Sequence, residues 1–157
     1  MLEIQKIRAI TLDLDDTLWP IWPTIARAET ALQDWLRGHA PRTSALFADP
    51  AARLALRHDV MTARPDLHHQ LSTLRLEQIR LALSRSDENT ALAEPAFEVF
   101  FDARQQVTMF DDTHAGLAFL SARFPLVALT NGNADLARVG LSGYFKDSLS
   151  AQGFGVG

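Results

Sequence analysis

A short apolar run, Ile7 to Leu12, breaks off into Asp13-Leu14-Asp15-Asp16-Thr17-Leu18. Few folds place three acids directly after a β-prone, apolar segment. The pattern predicts a buried strand whose carboxyl end opens into a site. Acids this close repel one another, so a positive partner is expected among them. A divalent cation with oxygen ligands is the natural candidate.

The same pattern returns late in the chain. Pro125-Leu126-Val127-Ala128-Leu129 is a second short apolar strand, and it ends in Thr130-Asn131-Gly132-Asn133. That polar turn is expected to open a helix over about 134–141. Hydroxyl and amide donors at a helix N-terminus suit an anionic oxygen. One strand end thus offers carboxylates and the other offers donors, and a phosphoryl group between them would be held from both sides.

Between the two strands nothing alternates like a strand. Ile25, Ala28, Leu32, Trp35 and Leu36 follow helical spacing, with Thr24 as a possible cap and Gly38 and Pro41 marking the end. Further helical patterns cover about 51–60, 67–83 and 89–105, the one over 67–83 apolar on more than one side. Asp111-Asp112 reads as the approach to a helix over 114–123, where negative charge is favoured. The order strand, helical insertion, helix, strand, helix implies an α/β fold. Its core is a Rossmann-like parallel sheet, 1–19 and 104–157, carrying an inserted all-α helical-bundle cap, 20–103.

The bulk properties exclude several classes. The 157 residues contain no cysteine, which removes disulfide scaffolds, thiol catalysis and cysteine zinc sites. The net charge of −4 and the lack of a basic stripe argue against a nucleic-acid partner. No stretch has the length of a membrane span and no signal peptide is visible, so a cytoplasmic protein is expected. The sequence is compatible with a monomer or a dimer.

At this point the residues resemble a family, the haloacid-dehalogenase-like hydrolases, most of which are phosphatases. Asp13, Asp15 and Thr17 match its Asp-x-Asp-x-Thr motif after an apolar strand, and Thr130 matches its second motif. The insertion just after the first motif is similar to that of the helical-cap phosphatase subfamily. Leu12 to Leu18 and Pro125 to Ala134 look like the bacterial phosphatases that act on FMN and on 5-amino-6-(5-phospho-D-ribitylamino)uracil, as does the segment around His68, His69 and Arg75.

The resemblance implies an aspartyl-phosphate mechanism on a small phosphorylated metabolite. Asp13 would be the nucleophile and Asp15 the general acid, then base. Mg2+ would be bound by the Asp13 carboxylate and the Asp15 backbone carbonyl. Thr130 would hold a phosphoryl oxygen, with Asn131 close by. Trp19, Trp22, His68 and Arg75 are candidate specificity residues, although core packing, a surface helix and a salt bridge are the plainer roles for them. Asp15 argues against dehalogenation, which needs no acid for a leaving alcohol.

The resemblance also implies two parts that this sequence lacks: a lysine soon after 144–157, and a later acidic strand end completing the metal site. Lys146 precedes the expected position. The expectation is therefore a catalytically incomplete first part of a longer enzyme, with a non-catalytic interaction module as one alternative. A phospho-accepting receiver domain is another, disfavoured by the large helical insertion.

Overall fold

The computed structural model describes residues 4–151 and 153. The chain divides into two compact units, Met1–Trp22 with Gln105–Gly157, and Pro23–Arg104.

The first unit is built on a three-stranded parallel sheet in the order β1-β2-β3, with β1 at Ile10–Leu12, β2 at Leu126–Thr130 and β3 at Asp147–Ser150. Ile10 lies opposite Leu126 and Leu12 opposite Ala128, while Val127 to Thr130 pair with Asp147 to Ser150. Leu126 and Ala128 are fully buried, as are Leu14, Trp19 and Leu141, which join them in one core. Helix α6, Thr113–Ser121, contributes the buried Leu117.

Three expectations change here. The first strand begins at Ile10 rather than Ile7, because Ile4–Lys6 forms a 3-10 turn and pairing starts where the Ile10 N–H meets the Pro125 carbonyl at 3.0 Å. The sheet gains β3, a polar segment with mostly exposed side chains that carries no apolar signal. The helix expected over 134–141 does not form. Asp135 Oδ1 accepts the N–H groups of Ala137 and Arg138 at 2.9 and 3.0 Å, an Asx turn. Gly140 then turns left-handed at φ 80°, and the Leu141 N–H reaches back to the Leu136 carbonyl at 2.8 Å. Both ends of a single helical turn are closed before it can propagate.

The second unit is helical. It contains most of α1 (Ile21–His39) and α5 (Ala93–Gln105), with α2 (Pro41–Ala48), α3 (Pro50–Ala63) and α4 (Leu71–Arg85) between them. Leu32, Leu36, Phe47, Ile79, Leu83 and Phe100 share its core. Pro41 was expected only to end α1; it also starts α2, since proline at the first helical position loses no hydrogen bond. The Glu88 carboxylate caps that start, accepting the N–H groups of Arg42 and Thr43 at 3.1 and 2.8 Å. Among the described residues no helix is long and apolar enough to cross a membrane.

Candidate active site

Leaving β1, the backbone turns sharply around the fully buried Leu14, whose carbonyl accepts the N–H groups of Thr17 and Leu18 at 3.2 and 2.8 Å. Burying Leu14 holds its neighbours Asp13 and Asp15 at the sheet edge. Asp13 is exposed, and its Oδ1 accepts the Leu14 N–H at 2.8 Å, which fixes the carboxylate against the loop.

Asp15 is half-buried, and its Oδ1 accepts the indole N–H of Trp19 at 2.9 Å. Asp16 takes the left-handed conformation at φ 60°, which aspartate tolerates better than most residues. Its N–H donates to the Trp19 carbonyl at 2.8 Å, and its Oδ1 caps α1 by accepting the Ile21 N–H at 2.8 Å. Asp16 is thus a turn and cap residue. The far end of the loop is tied at the Leu18 carbonyl, which accepts the Phe110 N–H at 3.0 Å and the buried Thr113 hydroxyl at 2.8 Å.

Because β1 and β2 run parallel, Thr130 ends its strand on the edge where Asp13 and Asp15 begin their loop. Thr130 is buried, and its Oγ1 accepts the Gly132 N–H at 3.0 Å. A hydroxyl accepting there still carries one O–H to donate. Asn131 is exposed beside it. The following segment is held by Gln105, buried in the same unit. Its Oε1 accepts the Asp135 N–H at 2.8 Å, and its Nε2 donates to the Asn133 carbonyl at 3.4 Å. The amides around Gly132 therefore sit in a braced turn rather than at the start of a regular helix.

The other candidates lie elsewhere. Trp19 is fully buried and offers no ring face to a ligand, whereas Trp22 is 77% exposed. His68 and Arg75 belong to the helical unit. His68 is exposed on a 3-10 turn, Pro65–His69. Arg75 pairs with Glu29 at 2.6 Å and lies 4.4 Å from the centre of the Phe100 ring. Burial pulls the Arg75 pKa down, against the opposing charge of Glu29. Lys146 lies at the opposite edge of the sheet, its N–H bonded to the Leu126 carbonyl at 2.8 Å. At roughly 3.3 Å per residue, that is about 13 Å along the strand from Thr130. From the sequence Thr113 reads only as a possible cap of the helix that follows it, and Gln105 carries no signal. Each bonds to a loop far away in the chain, and no local pattern marks such a partner.

No known family's sequence profile matches the chain. It is 33% identical over 150 residues to the 5-amino-6-(5-phospho-D-ribitylamino)uracil phosphatase YigB of Escherichia coli K12, an alignment covering 93% of this chain and 62% of that protein. The chain thus spans about three-fifths of the length of this relative. Among solved structures, a 2-haloacid dehalogenase from Pseudomonas syringae pv. tomato superposes with a TM-score of 0.89 at 37% identity, over 96% of this chain and 66% of that one. The hydrolase YfnB of Bacillus subtilis, whose structure is bound to magnesium, superposes at 0.59 over 92% of this chain and 65% of its own, and at 16% identity this likeness concerns the fold alone. With the paired strand ends and the inserted helices, these similarities place the protein: the chain belongs to the haloacid-dehalogenase-like hydrolase superfamily.

Proposed function

We propose that this chain carries the nucleophile and the acid/base of a Mg2+-dependent phosphomonoesterase acting in the cytoplasm on a small phosphorylated metabolite. The observation that carries the reading is the pair of aspartates at the end of β1. One carboxylate is exposed, while the other is half-buried and held through one oxygen by Trp19. That asymmetry suits two carboxylates with different tasks.

In the first step an Asp13 oxygen attacks phosphorus. The ester P–O bond breaks, its electron pair leaves with the alcohol oxygen, and Asp15 supplies the proton. In the second step water attacks the aspartyl phosphate and gives a proton to Asp15. Asp13 is released as carboxylate and inorganic phosphate departs. Thr130 would donate to a phosphoryl oxygen, with Asn131 and the turn at Gly132 beside it.

The donor set fits Mg2+. Among the described residues no three His, Asp or Glu side chains gather as a dedicated metal cage. Mg2+ is commonly held instead by one or two carboxylates, waters and substrate phosphate. Asp13 and the Asp15 backbone carbonyl would hold it, and the ion would offset the negative charge between nucleophile and phosphate.

The similarity to YigB favours 5-amino-6-(5-phospho-D-ribitylamino)uracil, an intermediate of riboflavin synthesis, or FMN as substrate. A second reading, 2-haloacid dehalogenation, is favoured by the identity to the Pseudomonas protein. Asp15 speaks against it, because a halide leaves without a proton.

One experiment separates the two. Phosphate release from p-nitrophenyl phosphate, FMN and the ribityl-uracil phosphate is measured with Mg2+, beside chloride release from 2-chloropropionate. Phosphate release that vanishes in Asp13→Asn is expected. Undiminished phosphatase activity in Asp13→Asn would sink the mechanism, and chloride release alone would replace it.

A further inference from the structure

Trp19 heads the largest fully buried side chains, yet its one polar atom points at the candidate acid. The indole N–H lies 2.9 Å from Asp15 Oδ1. The backbone reinforces the pairing, since Asp15 and Trp19 form an isolated parallel bridge and the Asp16 N–H donates to the Trp19 carbonyl at 2.8 Å. The ring packs into the same core as Leu14 and Leu18, which flank the acids. It therefore has no freedom to turn its N–H away.

We propose that Trp19 is a positioning residue for proton transfer: its indole N–H reserves Oδ1 of Asp15 as an acceptor, so the acid carries its transferable proton on Oδ2. The inference rests on the reading of Asp15 as general acid and deepens it. The hydroxyl oxygen of a carboxylic acid accepts a hydrogen bond more weakly than its carbonyl oxygen, so the 2.9 Å bond from the indole favours Oδ1 as the carbonyl and Oδ2 as the hydroxyl. A carboxyl lacking this constraint could place its proton on either oxygen, and only one placement faces the leaving alcohol. In the first step the proton passes from Oδ2 to the ester oxygen as the P–O bond breaks. In the second, the same oxygen takes a proton from the attacking water, and Oδ1 remains the acceptor of the indole throughout.

The alternative is a core tryptophan that merely satisfies its N–H. The two roles separate by leaving group. A p-nitrophenolate leaves without protonation, whereas the alkoxide of glycerol 2-phosphate does not. Because kcat/KM reports phosphoryl transfer up to alcohol release, the later hydrolysis does not obscure it. The test compares kcat/KM on both substrates in the full chain, with Trp19→Phe and with Asp15→Asn as reference.

Trp19→Phe is expected to lower kcat/KM about tenfold or more on glycerol 2-phosphate and less than about threefold on p-nitrophenyl phosphate, a bias shared in direction by Asp15→Asn. Equal losses on both substrates, or none on either, overturn the proposal. If Asp15→Asn shows no bias, or the unaltered protein hydrolyses neither ester, the reading of Asp15 fails and takes the proposal with it. If Asp15→Asn shows the bias and Trp19→Phe does not, the Trp19 inference alone fails. Should Trp19→Phe not fold, 3-benzothienylalanine at position 19 keeps the ring volume without the N–H and gives the same comparison.

Discussion

The Thr113 hydroxyl donates to the Leu18 carbonyl at 2.8 Å across 95 residues of sequence, joining the first turn of α6 to the loop that carries Asp13 and Asp15. Buried carbonyls are rarely left without partners, and this one has two, since the Phe110 N–H also donates to it at 3.0 Å. Thr113→Val, nearly isosteric, removes one of them. The second donor limits the damage, so a loss of about 1 kcal/mol in urea unfolding is expected. Activity should fall further than stability implies, through kcat rather than KM, because the loosened segment positions both aspartates. A change in KM alone would place the effect elsewhere.

Gln105 makes the corresponding connection beside the turn that follows Thr130. Its buried side chain bonds to both the Asp135 N–H and the Asn133 carbonyl. Gln105→Leu deletes both bonds while keeping the volume. Inhibition by inorganic phosphate is the direct measure, and its Ki should rise about fivefold or more as the turn at Gly132 loses its brace. Gln105→Glu retains the acceptor for Asp135 and should lie between the two. An unchanged Ki in Gln105→Leu would show that the turn holds its shape unaided.

The strand ends were legible because an abrupt change from Leu12 to Asp13, or from Leu129 to Thr130, is a local signal. The helices were legible through their periodicity, except α2, where Pro41 reads equally as an end and as a beginning. The strand at Asp147–Ser150 was hidden because its side chains are polar and mostly exposed, so pairing with β2 alone makes it a strand. The segment over 134–141 was expected to be a helix because a polar turn precedes it, but the Asp135 side chain and Gly140 close it after one turn. Thr113 and Gln105 were illegible for a further reason: a hydroxyl or an amide shows nothing in sequence of the distant carbonyl it will meet.

Glu88 gives a prediction in pH. Burial raises its pKa, but the hydrogen bonds from Thr43 and Arg42 outweigh that, and the net effect holds it below the ordinary glutamate value of 4.5. A carboxylate with a depressed folded-state pKa stabilises the fold above its unfolded pKa. That contribution is lost as pH falls through the folded value. Glu88→Gln should therefore cost about 1 kcal/mol near neutrality, in the range of a lost helix cap. The difference from the unaltered protein should shrink as pH drops below about 4.5, since protonated glutamate and glutamine cap similarly. Urea midpoints between pH 3 and 7 would test it, and parallel curves across that range would contradict the assignment.

Among the described residues Trp22 is the most exposed of the large apolar side chains, at 77%, and it follows Ile21, whose N–H is capped by Asp16 of the loop after β1. A helix start fixed to that loop carries its side chain in a set direction. An exposed indole offers a flat apolar face for stacking. Trp22→Ala buries nothing less and should shift stability by no more than about 0.5 kcal/mol. If the ring stacks on the substrate, KM for FMN should rise about fivefold or more, the loss of roughly 1 kcal/mol of aromatic contact. KM for glycerol 2-phosphate, which has no ring, should stay constant. Equal changes on the two substrates would assign Trp22 to the loop rather than to the ligand, and no change on either would leave it a solvent-facing residue of the helix start.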